Sequence, residues 1–222
     1  HIGVPLSLLQ IKEDTEFSII ELGANNFGEI DFLTRIVEPD YGYITNFGKA
    51  HLEGFKNLKG VVKGKTELYN WIIENDKTLI LNNDDLEQIK FNNYKKISFG
   101  SKTKSNYNFE YIPEKKVVVK CSEIIYESNI YGDYNFSNIC VAISIGLHFG
   151  VDSKKIQKSL LNYKLKNNRS QLIKLKSQEI ILDAYNANPT SMTHAIESFS
   201  KSKGSKAVIL GDMFELGNNA LD

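Results

Sequence analysis

Five short apolar runs, each closing on a carboxylate or amide, limit the architecture of this chain more than any other feature. They are Phe17-Ser18-Ile19-Ile20-Glu21-Leu22-Gly23, Tyr41-Gly42-Tyr43-Ile44-Thr45-Asn46, Thr78-Leu79-Ile80-Leu81-Asn82, Glu179-Ile180-Ile181-Leu182-Asp183 and Lys206-Ala207-Val208-Ile209-Leu210-Gly211-Asp212. Runs this short and apolar read as buried strands. Helical segments separate them. Gly28 to Val37 stops before Pro39, and Gly60 to Glu74 aligns Val61, Leu68, Trp71 and Ile72 on one face. Asn135 to Phe149, Ser153 to Leu161 (capped by Asp152 or Ser153) and about Thr190 to Ser200 follow. Alternation of this kind predicts an α/β fold, a parallel sheet flanked by helices.

The stretch from Lys95 to Tyr131 breaks the pattern. Lys116-Val117-Val118-Val119-Lys120 and Glu123-Ile124-Ile125-Tyr126 predict a small antiparallel β section, in which the Tyr107 to Tyr111 aromatics are packing groups. Lys164 to Ser170 is polar and charged and reads as a hinge. The expected division is therefore 1–165 and 166–222. In the second part, the runs at 179–183 and 206–212 bracket a helix as the opening βαβ unit of a second α/β domain, cut off after its second strand.

Composition removes several classes of function. Twenty-seven basic residues balance 27 acidic ones in 222, which leaves no bulk charge for nucleic acid or an anionic membrane. No apolar stretch approaches the roughly 20 residues that span a bilayer. The two cysteines, Cys121 and Cys140, lack metal-type spacing, and Cys140 reads as core. A reduced cytoplasmic setting is the expectation. The chain begins at His1 and ends at Asp222 without a signal peptide, and reads as a piece of a longer protein. Arg35 and Arg169 are its only arginines, the only places for a planar anion-binding fork.

In open parallel sheets, ligands bind beyond the carboxyl ends of the strands. Here those ends carry Glu21, then Asn46 with His51 close behind, then Asn82 to Asp85, then Asp183 and Asp212. Any one of them alone reads as a cap or turn residue. Several in register suit a divalent cation; carboxylate oxygens favour magnesium, while the imidazole leaves manganese or zinc open. No Gly-x-x-x-x-Gly-Lys-Ser/Thr loop is present. Gly60-Val61-Val62-Lys63-Gly64-Lys65-Thr66 has the wrong spacing and falls in a predicted helix.

Four longer strings occur in order: Glu21-Leu22-Gly23-Ala24-Asn25-Asn26-Phe27-Gly28-Glu29-Ile30; Ile44-Thr45-Asn46-Phe47-Gly48-Lys49-Ala50-His51-Leu52-Glu53-Gly54-Phe55; Asp183-Ala184-Tyr185-Asn186-Ala187-Asn188-Pro189; and Leu210-Gly211-Asp212-Met213-Phe214-Glu215-Leu216-Gly217. Together they resemble the Mur ligases, and among them those acting on UDP-N-acetylmuramoyl-tripeptide and D-alanyl-D-alanine. The resemblance implies a central ATPase domain followed by the start of a truncated, Rossmann-like C-terminal ligase domain. A UDP-sugar domain and a phosphate loop are then expected upstream. It implies an ATP- and Mg2+-dependent amide ligase of peptidoglycan assembly, a cytoplasmic monomer, with this piece inactive alone.

The same resemblance assigns residues. Glu21 corresponds to a magnesium ligand, His51 to a second metal contact, and Asn46 to the same loop. Lys65 corresponds to a lysine that takes up carbon dioxide as a carbamate, with Lys63 competing by spacing. Gly132-Asp133-Tyr134-Asn135-Phe136-Ser137-Asn138 resembles the family's Gly-x-His-Asn-x-x-Asn segment, with Tyr134 in place of histidine. It makes Asn135 the adenine reader, beside the rival reading of Asn135 as a helix cap. Arg169 corresponds to a phosphate contact at the hinge and Asp183 to a nucleotide-positioning aspartate, and Asn186 lies in the adjoining loop. His148 and His194 fall within helices and read as packing or surface groups. A folylpolyglutamate- or cyanophycin-type amide ligase and a non-catalytic core remain as alternatives.

Overall fold

A computed structural model describes residues 2–49, 51–165, 168–214 and 216. The elements in chain order are α1 (Gly3–Leu8), α2 (Glu29–Val37), β1 (Tyr41–Tyr43), α3 (Leu52–Phe55), α4 (Leu58–Glu74), β2 (Thr78–Asn82), β3 (Lys96–Gly100), β4 (Tyr107–Ile112), β5 (Lys116–Cys121), β6 (Ile124–Tyr131), α5 (Phe136–His148), α6 (Ser153–Asn162), β7 (Gln171–Lys174), β8 (Glu179–Leu182) and α7 (Pro189–Ser200). Strands β1 to β6 follow sequence order in one sheet, and β7 and β8 form a second. β1 pairs parallel with β2 and β3 with β4, whereas β4, β5 and β6 are antiparallel. The mixed α/β class read from the sequence therefore holds. The chain forms two compact units: residues 1–81, 90–97 and 215–222, and residues 82–89 and 98–214.

The first unit is organised by α4. Asn57 caps this helix, its side chain accepting the Gly60 amide at 2.9 Å. Leu68, Tyr69, Trp71 and Ile72 then pack with Ile44, Phe47, Leu79, Leu81 and Ile30 of α2. Gly42 is required by this packing, because a Cβ there would lie 2.9 Å from Ile72. Tyr69 is fully buried, yet its hydroxyl is satisfied. It donates to the Ile80 carbonyl at 2.9 Å and accepts from the Ile44 amide at 3.3 Å.

In the second unit, Phe109, Val117, Val119 and Tyr126 of the antiparallel section are buried with Ile139 and Ile143 of α5 and Ile156 of α6. Tyr111 meets Phe136 edge to face at 5.6 Å, so the aromatics of this section serve packing. Cys140 is core, as expected. Asp152 caps α6 by accepting the Lys154 amide.

Several expected strands differ. Residues 17–23 are not laddered, and Ile19 is 91% exposed. A strand exists only through a ladder of hydrogen bonds to a neighbour, and none is formed along this run among the described residues. Residues 206–212 differ for the same reason: none is laddered, and Ile209 is 98% exposed. The run at 179–183 does form a strand, but β8 pairs antiparallel with β7 instead of opening a parallel βαβ unit. The Leu175 amide closes the turn on the Gln178 carbonyl at 2.8 Å, a local closure with little entropy cost. β3 falls within the β section expected from Lys95 to Tyr131, but it pairs parallel with β4 where antiparallel pairing was expected. α1 and α3, a turn or two each, were missed.

Candidate active site

The first unit contains Glu21, Asn46, His51 and Lys65. Glu21 is exposed. The residues after it anchor its loop: Leu22 and Ala24 pack on the core, and Ala24 also meets Leu52, Phe55 and Val61. α3 abuts this loop backbone to backbone, since a Cβ on Gly54 would fall 1.8 Å from the Asn25 carbonyl oxygen. His51 stands immediately before α3 in the left-handed region (φ 53°), an unusual conformation for a non-glycine residue. Asn46 turns its own loop by accepting the Gly48 amide at 2.9 Å. Lys65, partly buried on α4, donates from Nζ to the Asn46 carbonyl at 2.7 Å. Desolvation pushes its pKa below the ordinary lysine value. Lys63 is exposed, with Nζ 5.7 Å from the Phe27 ring centre, so of the two lysines only Lys65 reaches the Asn46 loop. The Gly60–Thr66 look-alike lies inside α4, as expected.

The second unit contains Asn135, Arg169, Asp183 and Asn186. Ser170 links them. It is buried and left-handed (φ 45°), and its amide donates to Asp183 Oδ1 at 3.1 Å. Its hydroxyl lies 3.4 Å from Asp183 Oδ2 and 2.6 Å from the Tyr134 hydroxyl. Burial raises the Tyr134 pKa, keeping the phenol protonated and able to donate. Arg169 stacks its guanidinium 3.8 Å from the Tyr185 ring centre. Asn186 is exposed and accepts the Ala187 amide at 2.8 Å. Asn188 makes a capping box with Ser191 at the start of α7. Asn135 makes no side-chain cap bond to α5. Its Nδ2 donates to the Tyr131 carbonyl at 2.8 Å, and its Oδ1 accepts from Asn138 at 3.1 Å. The cap reading of Asn135 is thereby replaced by a brace across the preceding turn.

The donor set constrains any metal. Among the described residues no three His, Cys, Asp or Glu side chains gather into a cage. A structural zinc site needs four such ligands and does not fit. An exposed carboxylate at Glu21 fits magnesium, which keeps waters and takes phosphate oxygens as its other ligands. As an ammonium, Lys65 is a donor and no ligand. Sequence reasoning passed over Ser170 and Glu67, whose carboxylate reaches the first turn of α2. The only available signals were positional, Ser170 beside Arg169 and Glu67 two residues past Lys65. Arg35 is engaged with Asp31 at 2.8 Å on the α2 surface.

Among the described residues no helix is long and apolar enough to cross a membrane. Residues 1–146 match the Mur ligase middle domain, and residues 168–221 match the Mur ligase, glutamate ligase domain. UDP-N-acetylmuramoyl-tripeptide–D-alanyl-D-alanine ligase of Bacillus subtilis is 34% identical over 225 residues, covering 98% of this chain and 49% of its own length. MurF of Acinetobacter baumannii superposes with a TM-score of 0.86 at 29% identity, over 98% of this chain and 50% of that one. The fold is shared by MurF ligase from Thermotoga maritima, solved in complex with ADP (TM-score 0.84, 23% identity, 98% of this chain and 52% of that one). The chain thus spans about half the length of the relatives it matches. With both domain patterns met in order along one polypeptide, this chain belongs to the Mur ligase family.

Proposed function

We propose that this chain is the core of an ATP-dependent ligase that joins D-alanyl-D-alanine to UDP-N-acetylmuramoyl-tripeptide in the cytoplasm. On this reading the domain boundary falls between residues 165 and 166. The observation that carries the proposal is the seating of the Lys65 amine on the Asn46 loop, beside the turns that hold Glu21 and His51. In the reaction, the terminal carboxylate of the tripeptide takes the γ-phosphoryl group of ATP. The dipeptide amine attacks the acyl phosphate, and the tetrahedral intermediate collapses to amide and inorganic phosphate. Two anions must meet, so fixed positive charge is needed.

Glu21 and His51 would hold Mg2+, which neutralises the phosphate charge when bound. Lys65, its amine favoured by desolvation, is the candidate for carbamate formation, which turns a donor into an oxygen ligand. Asn135 would read adenine, while Asp183 and Arg169, arranged around Ser170, would meet the ribose and phosphates, and Asn186 the adjoining groups. The test is phosphate release with Mg-ATP, UDP-N-acetylmuramoyl-tripeptide and D-alanyl-D-alanine, on this chain and on the full-length protein that carries it. The full-length protein, a monomer on this proposal, should release phosphate only with the muramoyl tripeptide present, and this chain alone should release none. Release that ignores the muramoyl tripeptide would favour a different amide ligase.

A further inference from the structure

Helix α4 grips two loops through charged side chains two positions apart. Lys65 donates to the Asn46 carbonyl at 2.7 Å. Glu67 turns the other way: Oε1 accepts the Gly28 amide at 2.8 Å and Oε2 accepts the Asp31 amide at 3.1 Å. Both carboxylate oxygens are therefore committed to backbone at the start of α2, where unpaired amides and the helix dipole favour negative charge. Gly28 has φ 81°, which only glycine adopts without strain. Glu29 holds the same turn from within, accepting the Asn25 amide at 2.8 Å and the Asn26 side-chain amide at 3.0 Å. This turn runs directly on from Glu21, and α3 abuts it at Gly54.

We propose that Glu67 is a positioning residue of the nucleotide–metal site, locking the loop that follows Glu21 onto α4 so that Glu21 and Lys65 keep a fixed spacing. It rests on the reading of Glu21 as a metal ligand. Glu67 touches neither metal nor nucleotide; it acts through the turn at residues 25–28. Catalytic metal sites depend on such outer supports, whose loss weakens metal affinity by about 10–100-fold.

The experiment uses the full-length protein with Glu67→Ala and, to preserve shape, Glu67→Gln. Two quantities are read: amide hydrogen exchange at Gly28 and Asp31, and the Mg2+ concentration giving half-maximal ATP turnover. Glu67→Ala should speed both exchanges and raise the Mg2+ requirement by about tenfold, with Glu67→Gln intermediate. Faster exchange at an unchanged Mg2+ requirement would make Glu67 a stability brace and overturn the proposal. Unchanged exchange would also overturn it, by removing the bonds themselves. Lack of Mg2+-dependent turnover in the unsubstituted protein would instead overturn the functional reading on which the proposal depends.

Discussion

Desolvation, with no charged neighbour contributing, lowers the pKa of Lys65, and this has a consequence for stability. Unfolded lysines titrate near 10.4, so between the lowered native value and that figure the unfolded chain binds more protons. Stability contributed by this residue therefore rises with pH through that window and is flat below it. Lys65→Met should remove the rise, read as the difference in urea midpoint between the two proteins across alkaline pH. Parallel curves would contradict the burial of this amine. Gly54 makes a second residue-scale prediction. An alanine Cβ would sit 1.8 Å from the Asn25 carbonyl oxygen, so backbone must move. Gly54→Ala should cost about 2 kcal/mol, the usual scale of overpacking, and thermal unfolding of the full-length protein would record it. The family resemblance favoured Lys65, with Lys63 competing by spacing; the seating on the Asn46 loop distinguishes them, because that choice depends on the rotation of α4 against β1.

At the scale of elements, legibility followed how local the determining physics is. α4 and α6 were readable because an apolar stripe and a capping side chain lie together in sequence, and α5 because its apolar residues alone mark it. β2 was readable as a continuous apolar run bounded by turn residues. The runs at 17–23 and 206–212 have the same composition yet form no ladder, since pairing belongs to the neighbour and no single run encodes it. β8 kept its position but took its partner from a hairpin, which the sequence around Leu175 to Gln178 does not announce. Because α4 carries both Lys65 and Glu67, its cap is worth testing. Asn57→Ala removes the acceptor for the Gly60 amide and should destabilise the protein by about 1 kcal/mol, seen as a lowered urea midpoint. No change in midpoint would mean that packing alone fixes the start of this helix.

For the whole molecule, four ordered motifs and two domain patterns place the chain in its family, while the arrangement of side chains within each unit supplies what motifs cannot. Exposed Ile19, Val208 and Ile209 lie in apolar segments that form no strand ladder among the described residues. Such segments promote association. Light scattering of this chain in isolation should therefore show growth with concentration, reduced by Ile19→Lys with Ile209→Lys; equal growth in the double variant would contradict this.

The central claim is that Glu21, His51 and Lys65 face one metal-bound triphosphate. It is tested most directly by anomalous scattering from Mn2+ in crystals of the full-length protein grown with a non-hydrolysable ATP analogue. The account predicts a metal ion about 2.1 Å from a Glu21 oxygen, bridging to phosphate, with His51 and Lys65 lining the same cavity. A metal–nucleotide complex seated away from Glu21 would contradict it.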